Sequence, residues 1–481
     1  MKDIALANSI LQDLQQKKRA TAVAKIKQLI ETNAELKQHW GGIARIAASI
    51  NEAMLAEAAA YMYLGENPEH PGIVLQTAGI IAECGKIEQA IELVLTLNAI
   101  DGSFSHQHFL ATAYSQIGQS DKAVNHAKKA IELSPQSAST WLLIASLTNA
   151  QDHPELVNKM TSLTDSFIGK DAQHDIPFWY ALGKYNLDLN QVEQGVEMFE
   201  KGATLMQKLR RYDSQRDVAI SNDLINHFSP EYFNDVEPLR NLSDKAPIFL
   251  IGLPRSGTTL TQHILSAHSA VAGGGELNAL TMAVSSVGFD KVKALANVQE
   301  AEQQHIMANI RQQYMQLVSS RFGANALVVD KTLNLNRYLG VIAKVFPDAK
   351  IVHIDRDLQD TAWSCFRTYF NQGLEWSNDF SDIGRFFKVE TNLNRYWQPF
   401  IKPQSQRIQY EALTQQPEAV IRSLLAYLEL EFEPACLHSH QSKQVVTTAS
   451  VQQVRQPINQ NSVQSSQPVR DKMTDFTLHL V

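Results

Sequence analysis

Between Pro247 and Leu260 the chain reads Pro-Ile-Phe-Leu-Ile-Gly-Leu-Pro-Arg-Ser-Gly-Thr-Thr-Leu, an apolar strand, a tight Gly-containing turn and a helix start. A strand that enters a helix through such a turn aims unpaired backbone N–H groups and the positive end of the helix dipole at one point. The hydroxyls of Ser256, Thr258 and Thr259 add donors there, and Arg255 adds a cation. This predicts an anion-binding turn, and it commits the surrounding chain to an open α/β sheet. The rest of the second half agrees. Aliphatic runs at 247–253, 326–330, 349–355 and 407–410 alternate with helical stretches at 258–268, 298–322, 333–345, 381–398 and 417–429, predicting a mostly parallel sheet.

The first 225 residues differ in kind, with short apolar segments of helical period and almost no β-branched run. Segments around Gly85 and Gly118 resemble each other at an offset of 33 residues, a helix-pair repeat length. Ala111, Tyr114, Gly118, Ala123, Ala127, Ala130 and Pro135 resemble the tetratricopeptide pattern, whose small residues let two helices approach closely. Trp179, Leu182, Gly183, Gly195 and Phe199 read as a further unit, with a degenerate repeat between. Residues 1–70 read as one or two weaker hairpins or a cap. A change to Pro, Asn and Asp near 226 sets the division at 1–225 for the helical repeats, 226–245 for a linker and 246–481 for the α/β domain.

With 481 residues the chain can bury several cores, and a formal charge of −7 argues against nucleic acid or an anionic membrane surface as partner. The basic run Lys17, Lys18 and Arg19 reads as a solvated helix face. Three scattered cysteines, Cys84, Cys365 and Cys436, fit neither a disulfide framework nor a zinc site. The amino terminus lacks a signal-peptide apolar stretch, and no run is long enough to span a bilayer. A reducing, cytoplasmic setting is expected.

Gly252 and Gly257 keep the spacing of the nucleotide triphosphatase pattern G-x-x-x-x-G-K-S/T, but Thr258 stands where its Lys would be. With Arg255 ahead of Ser-Gly-Thr-Thr, the turn instead resembles the 5′-phosphosulfate loop of sulfotransferases. Their donor is 3′-phosphoadenosine 5′-phosphosulfate, so this P-loop-type domain is expected to be a sulfotransferase domain using that co-substrate and no metal. Arg356 at a strand end, with Ser364 eight residues later, resembles the family's 3′-phosphate motif. Taken alone, Arg356 is equally readable as a salt bridge to Asp357 or Asp360. His353 reads as a core histidine, and Arg367 as a further, weaker donor.

The order of loop, helix and Gly275-Glu276 resembles the tyrosylprotein sulfotransferases, which implies Glu276 as catalytic base; a surface or N-cap carboxylate is the other reading. His268 and His263 are next in line. Lys331 after the strand at 326–330 resembles the family's transition-state lysine, and Tyr410 its nucleotide contact. Thr448 to Asn459 resembles the closing segment, implying Ser450 as a transition-state group; a flexible terminus is the other reading. The chain departs from the family after Ser462, where a basic residue is missing and Arg470 is a possible replacement, and at Thr368, where a second Arg would stand.

The resemblance covers 246–463. It implies transfer of a sulfuryl group to a hydroxyl acceptor, a protein tyrosine among the candidates. Arg255, Glu276, Lys331 and Ser450 are the catalytic set, and Arg255, Ser256, Gly257, Thr258, Thr259, Arg356, Ser364 and Tyr410 hold the donor. The repeats would hold the acceptor or a partner protein. A peptide-binding scaffold with a non-catalytic nucleotide domain, and an ATP-dependent kinase, are the competing readings; the missing loop Lys counts against the kinase.

Overall fold

The computed structural model describes residues 2–16, 18–96, 102–167, 171–242, 244–442, 444–446, 448 and 450–480; Lys17 of the basic run and Ala449 of the closing segment lie outside them. The described residues between 2 and 209 form successive helices joined by turns. Residues 1–70 contain two hairpins, Lys2–Gln15 with Arg19–Glu31 and Trp40–Ser49 with Ala53–Glu66. The pair Phe104–Gln116 and Ser120–Leu133 closes through Ala111, Ala123, Ala127 and Ala130, all fully buried. In the pair Ala172–Asp188 and Val192–Leu209, a Cβ on Gly183 would lie 2.7 Å from the Phe199 ring. Glycine there sets the helix separation.

Within 226–245, Phe228, Tyr232, Val236 and Leu239 are buried. Helix Ser214–His227 is followed by Pro230–Asp235, and Leu224, Phe228, Tyr232 and Val236 join the core beneath the sheet. The sheet is five parallel strands, β1 (Ile248–Ile251), β2 (Val271–Gly275), β3 (Leu327–Asp330), β4 (Lys350–Asp355) and β5 (Ser405–Gln409), in the order β2-β3-β1-β4-β5. Phe249 pairs with Asp330 on one side and Ile351 on the other. Side chains alternate between faces as strand geometry requires. Phe249, Ile251 and Ile351 pack on Tyr314, Phe346 and Trp397, while Ile248, Leu250 and Val352 pack on Ile264, Leu265 and Leu424.

The four strands expected from aliphatic runs are present, and β2 is an addition that patterning misses. Its Gly273-Gly274-Gly275 run is poor strand sequence. The glycines belong because the edge strand hugs β3: a Cβ on Gly274 would lie 2.7 Å from the Val329 carbonyl oxygen, and the register shifts between Gly273 and Gly275.

A third cluster joins the last repeat to the sheet domain. Ile176, Tyr180, Phe199 and Met206 pack with Trp363, Phe366 and Phe387, and the C-terminal helix Thr474–Leu480 adds Phe476. The Phe199 and Trp363 rings meet edge to face at 5.9 Å. Phe199→Ala therefore opens a cavity at this junction, and we expect a loss of about 3–5 kcal/mol, read as a lower denaturant midpoint. A loss below 1 kcal/mol would show the junction able to collapse without it.

Candidate functional site

The connections leaving β1 and β4 run to opposite sides of the sheet, which opens a crevice at their carboxyl ends. The turn after β1 lies there. Gly252 is required because a Cβ would meet Ser256 Oγ at 2.6 Å and the Ile354 carbonyl oxygen at 2.9 Å. Arg255 and Gly257 take left-handed backbone, with φ of +68° and +109°, and helix Thr258–Ser266 begins. The Ser256 N–H donates to the Leu253 carbonyl at 3.1 Å, closing the turn. Among the described residues, the N–H groups of 257–260 donate to no backbone acceptor, so the open amides start one residue later than the hydroxyls suggest.

Three guanidiniums surround a cavity of about 260 Å³ at this helix end, those of Arg255, Arg356 and Arg367. Arg255 Nε donates to Ser364 Oγ at 3.0 Å, Nη1 to Ser450 Oγ and Nη2 to Gln453 Oε1 at 2.9 Å. Arg356 Nη1 donates to the Arg255 carbonyl at 2.8 Å and Nη2 to that of Ser462, and its guanidinium stacks 4.7 Å from the Tyr410 ring centroid. Arg367 lies 5.8 Å from the Trp363 ring. Every acceptor is neutral.

The nearby carboxylates are committed elsewhere. Asp355 pairs with Arg407 at 2.6 Å, Asp357 accepts the Asp360 N–H at 2.8 Å, and Asp360 accepts Gln464 N–H at 2.6 Å and Ser466 N–H at 2.9 Å. The salt-bridge reading of Arg356 is thereby corrected, since the partners it would need serve the backbone. Burial, then the charges of its neighbours Arg255 and Arg356, push Arg367 down to about 10, and burial with Arg356 lowers Arg255. Among the described residues the buried Ser256 Oγ and Arg356 Nε have no hydrogen-bond partner. Among the described residues no carboxylate forms an ion pair with Arg255, Arg356 or Arg367, and cations so arranged beside open amides are suited to an anion.

A second cluster stands at the ends of β2 and β3. Lys331 Nζ donates to Glu276 Oε1 at 2.8 Å, with the lysine buried and the carboxylate 40% exposed. Lys331 N–H also donates to the Gly275 carbonyl at 2.9 Å. Fully buried Asp330 accepts from Thr332 N–H at 3.0 Å, Thr332 Oγ1 at 2.6 Å and Tyr314 OH at 3.1 Å, and Thr332 Oγ1 accepts the Asn278 N–H at 3.0 Å. That network locks the backbones on either side of the pair. Burial raises the Asp330 pKa.

Glu276 opens into a cavity of about 800 Å³ between the repeats and the sheet. Glu83, Phe109 and Gln116 line it from the repeats, Thr259, His263 and Arg321 from the sheet domain. Thr259 lines both cavities, so the anion site and Glu276 meet at that residue.

Residues 247–434 match the family model for the Sulfotransferase family, and residues 107–137 that for the Tetratricopeptide repeat. The chain carries tetratricopeptide repeats and a sulfotransferase-family domain. An uncharacterized protein of Aquifex aeolicus is 26% identical over 407 residues, 82% of this chain and 48% of the relative. The protein-tyrosine sulfotransferase of Drosophila melanogaster is 26% identical over 199 residues, 40% of this chain and 39% of the relative. The matches span 39–69% of the length of the curated relatives, 48% of the first. The sulfotransferase domain of an olefin synthase from Synechococcus PCC 7002 aligns at TM-score 0.35 with 17% identity, over 51% of this chain and 98% of its own.

In this sulfotransferase-family domain the residues singled out from sequence fall into two groups. Arg255, Gly257, Thr258, Thr259, Arg356, Tyr410 and Ser450 line the smaller cavity, Ser364 reaches it only through its bond to Arg255, Ser256 lies in the turn but faces a separate cavity with Gly252 and Asp355, and Glu276 pairs with Lys331 beside the larger. Sequence reading undervalued Arg367 and passed over Gln453. Arg470, offered as the missing cation, is exposed on the 3-10 turn Gln467–Met473 and lines neither cavity. Arg367 occupies the region instead, one residue from the family position at 368.

Two of the buried histidines are held neutral by their surroundings. Burial pushes His353 and His263 down to about 4 from an ordinary 6.5. A depressed folded pKa means that the unfolded chain takes up protons first, so stability is full above pH 6.5 and falls as pH drops toward 4. His353→Phe should flatten that slope in denaturation measured from pH 7 to 4. Arg367→Met removes a cation held among like charges, so the ligand-free protein should melt about 1–3 °C higher; a lower melting point would mean that Arg367 has an ordinary structural partner.

Proposed function

We propose that the chain transfers a sulfuryl group from 3′-phosphoadenosine 5′-phosphosulfate to a hydroxyl acceptor, with residues 246–481 as the catalytic unit, 1–225 as the acceptor-side wall and 226–245 joining them. The observation that carries this reading is the uncompensated set of Arg255, Arg356 and Arg367 at an open helix end, meeting the Glu276 cavity at Thr259. The orphaned Nε of Arg356, which lines the smaller cavity, fits a donor with anionic groups. The turn lacks the lysine that a nucleoside triphosphate loop would present, and Thr258 stands in its place.

When bound, the donor supplies an activated sulfuryl group and leaves as the 3′,5′-bisphosphate. The amides of 257–260, with the Thr258 and Thr259 hydroxyls, hold its 5′ end at the helix dipole. Arg356 and Ser364 serve the 3′-phosphate, Arg367 adds charge, and Tyr410 faces the nucleotide. Arg255, oriented by Ser450, and Lys331 offset charge that builds on the leaving side. Glu276 takes the acceptor's hydroxyl proton as the new O–S bond forms. No residue in this scheme requires a metal.

The acceptor enters the larger cavity, whose wall is shared by the repeats; a protein side chain such as tyrosine is the candidate that gives the repeats a purpose. The buried, free thiols of Cys84, Cys365 and Cys436 accord with a cytoplasmic setting, and no helix among the described residues is long and apolar enough to cross a membrane.

Glu276→Gln tests the base. The amide oxygen can still accept from Lys331, so folding and bisphosphate affinity should stay within a few-fold. Turnover of labelled donor on a verified acceptor should fall by roughly 10² to 10⁴. Near-normal turnover would return Glu276 to a structural role and move attention to His263 on the same cavity wall.

A further inference from the structure

The described residues between Ser442 and Ser462 touch three parts of the molecule. Ser450 and Gln453 hold the Arg255 guanidinium. Gln444, Val445, Val446 and Thr448 line the larger cavity. Arg455 turns back to the repeats, donating from Nη2 to the Gln116 carbonyl at 3.1 Å and to that of Gln444, and from Nη1 to that of Ser442. The Val446 N–H donates to the same Gln116 carbonyl at 3.1 Å.

Gln116 is the last residue of helix Phe104–Gln116, where carbonyls lack intrahelical partners and the dipole is negative, so a guanidinium is favoured there. The chain escapes that helix through Gly118, at φ +79°. A Cβ on Gly118 would lie 2.8 Å from Arg455 Nε, so the turn's glycine also makes room for the arginine. Only the single helical turn Val451–Val454 separates Ser450 from Arg455, so displacement of one is passed to the other.

We propose that the repeat turn at Gln116 to Gly118 is a working part of the donor site: by seating Arg455 it positions Ser450 and Gln453 on Arg255. Arg455 is then a positioning residue, and donor affinity depends on a contact made by the repeats. This rests on the donor assignment above and adds a route by which occupancy of the repeats or of the larger cavity is felt at the donor.

The test measures binding of 3′-phosphoadenosine 5′-phosphate to the full chain by calorimetry, with hydrogen exchange of the 442–462 segment as a second readout. Arg455→Ala should weaken binding about tenfold and speed exchange in that segment. Arg455→Lys, which keeps the charge but not the three-way fork, should fall between. Gly118→Ala approaches the same contact from the repeat side and should weaken binding similarly. Its control is Gly373→Ala, at φ +80° with open space around the Cβ position, which strains the backbone equally and should leave affinity unchanged. With a verified acceptor, Arg455→Ala should raise the donor KM while kcat at saturating donor stays within about threefold. Wild-type binding with Arg455→Ala and Gly118→Ala within twofold of it overturns the inference, as does equal weakening by Gly373→Ala. Absence of bisphosphate binding by the wild type overturns the donor assignment and this inference together.

Discussion

The arrangement on which the rest depends is positive charge kept without a counter-ion at the carboxyl edge of the sheet. Arg255, Arg356 and Arg367 repel one another, and Arg356 sits in a stretch with Asp355, Asp357 and Asp360 that would neutralise it if side chains were free to choose. The fold prevents this by giving Asp355, Asp357 and Asp360 other donors: a neighbouring-strand arginine, a helix N-terminus and two tail amides. The guanidiniums of Arg255 and Arg356 are instead oriented by hydroxyls, an amide and carbonyls, and that of Arg367 lies over the Trp363 ring, which leaves the charge available. A site prepared in this way stabilises an anion with little reorganisation when it arrives.

Such an arrangement needs rigid support, and the repeats provide part of it. Trp363 and Phe366, on the helix carrying Ser364, are packed by Tyr180 and Phe199 of the last repeat pair. At the other end Asn51 Nδ2 donates to the Leu277 carbonyl at 3.0 Å, next to Glu276. Between them lies the Gln116 contact with the tail. The repeats therefore brace both halves of the site and enclose the cavity that joins them.

The fold was legible where one local rule dominated. Helical period and small residues marked the repeats, aliphatic runs marked β1, β3, β4 and β5, and the strand-turn-helix at 247–260 marked the anion site. β2 escaped because its three glycines are chosen for clearance against β3, a reason invisible to strand propensity. Arg367 was undervalued because a guanidinium's worth depends on what else is near it, and Arg470 was overvalued because nearness in sequence to Ser462 does not place it in the cavity.

The chain alone determined the residue types and the backbone shapes they permit: glycines where the turn must close, hydroxyls and an arginine at a helix start, a lone Gly-borne carboxylate after it. Those choices are local, so they are written within a dozen residues of sequence. Tertiary structure decided which charges stay unpaired, which cavity Glu276 faces and which repeat grips the tail. Each of these depends on partners more than a hundred residues away, such as Ser450 on Arg255 or Gln116 on Arg455, and only the packed chain brings them within hydrogen-bond reach.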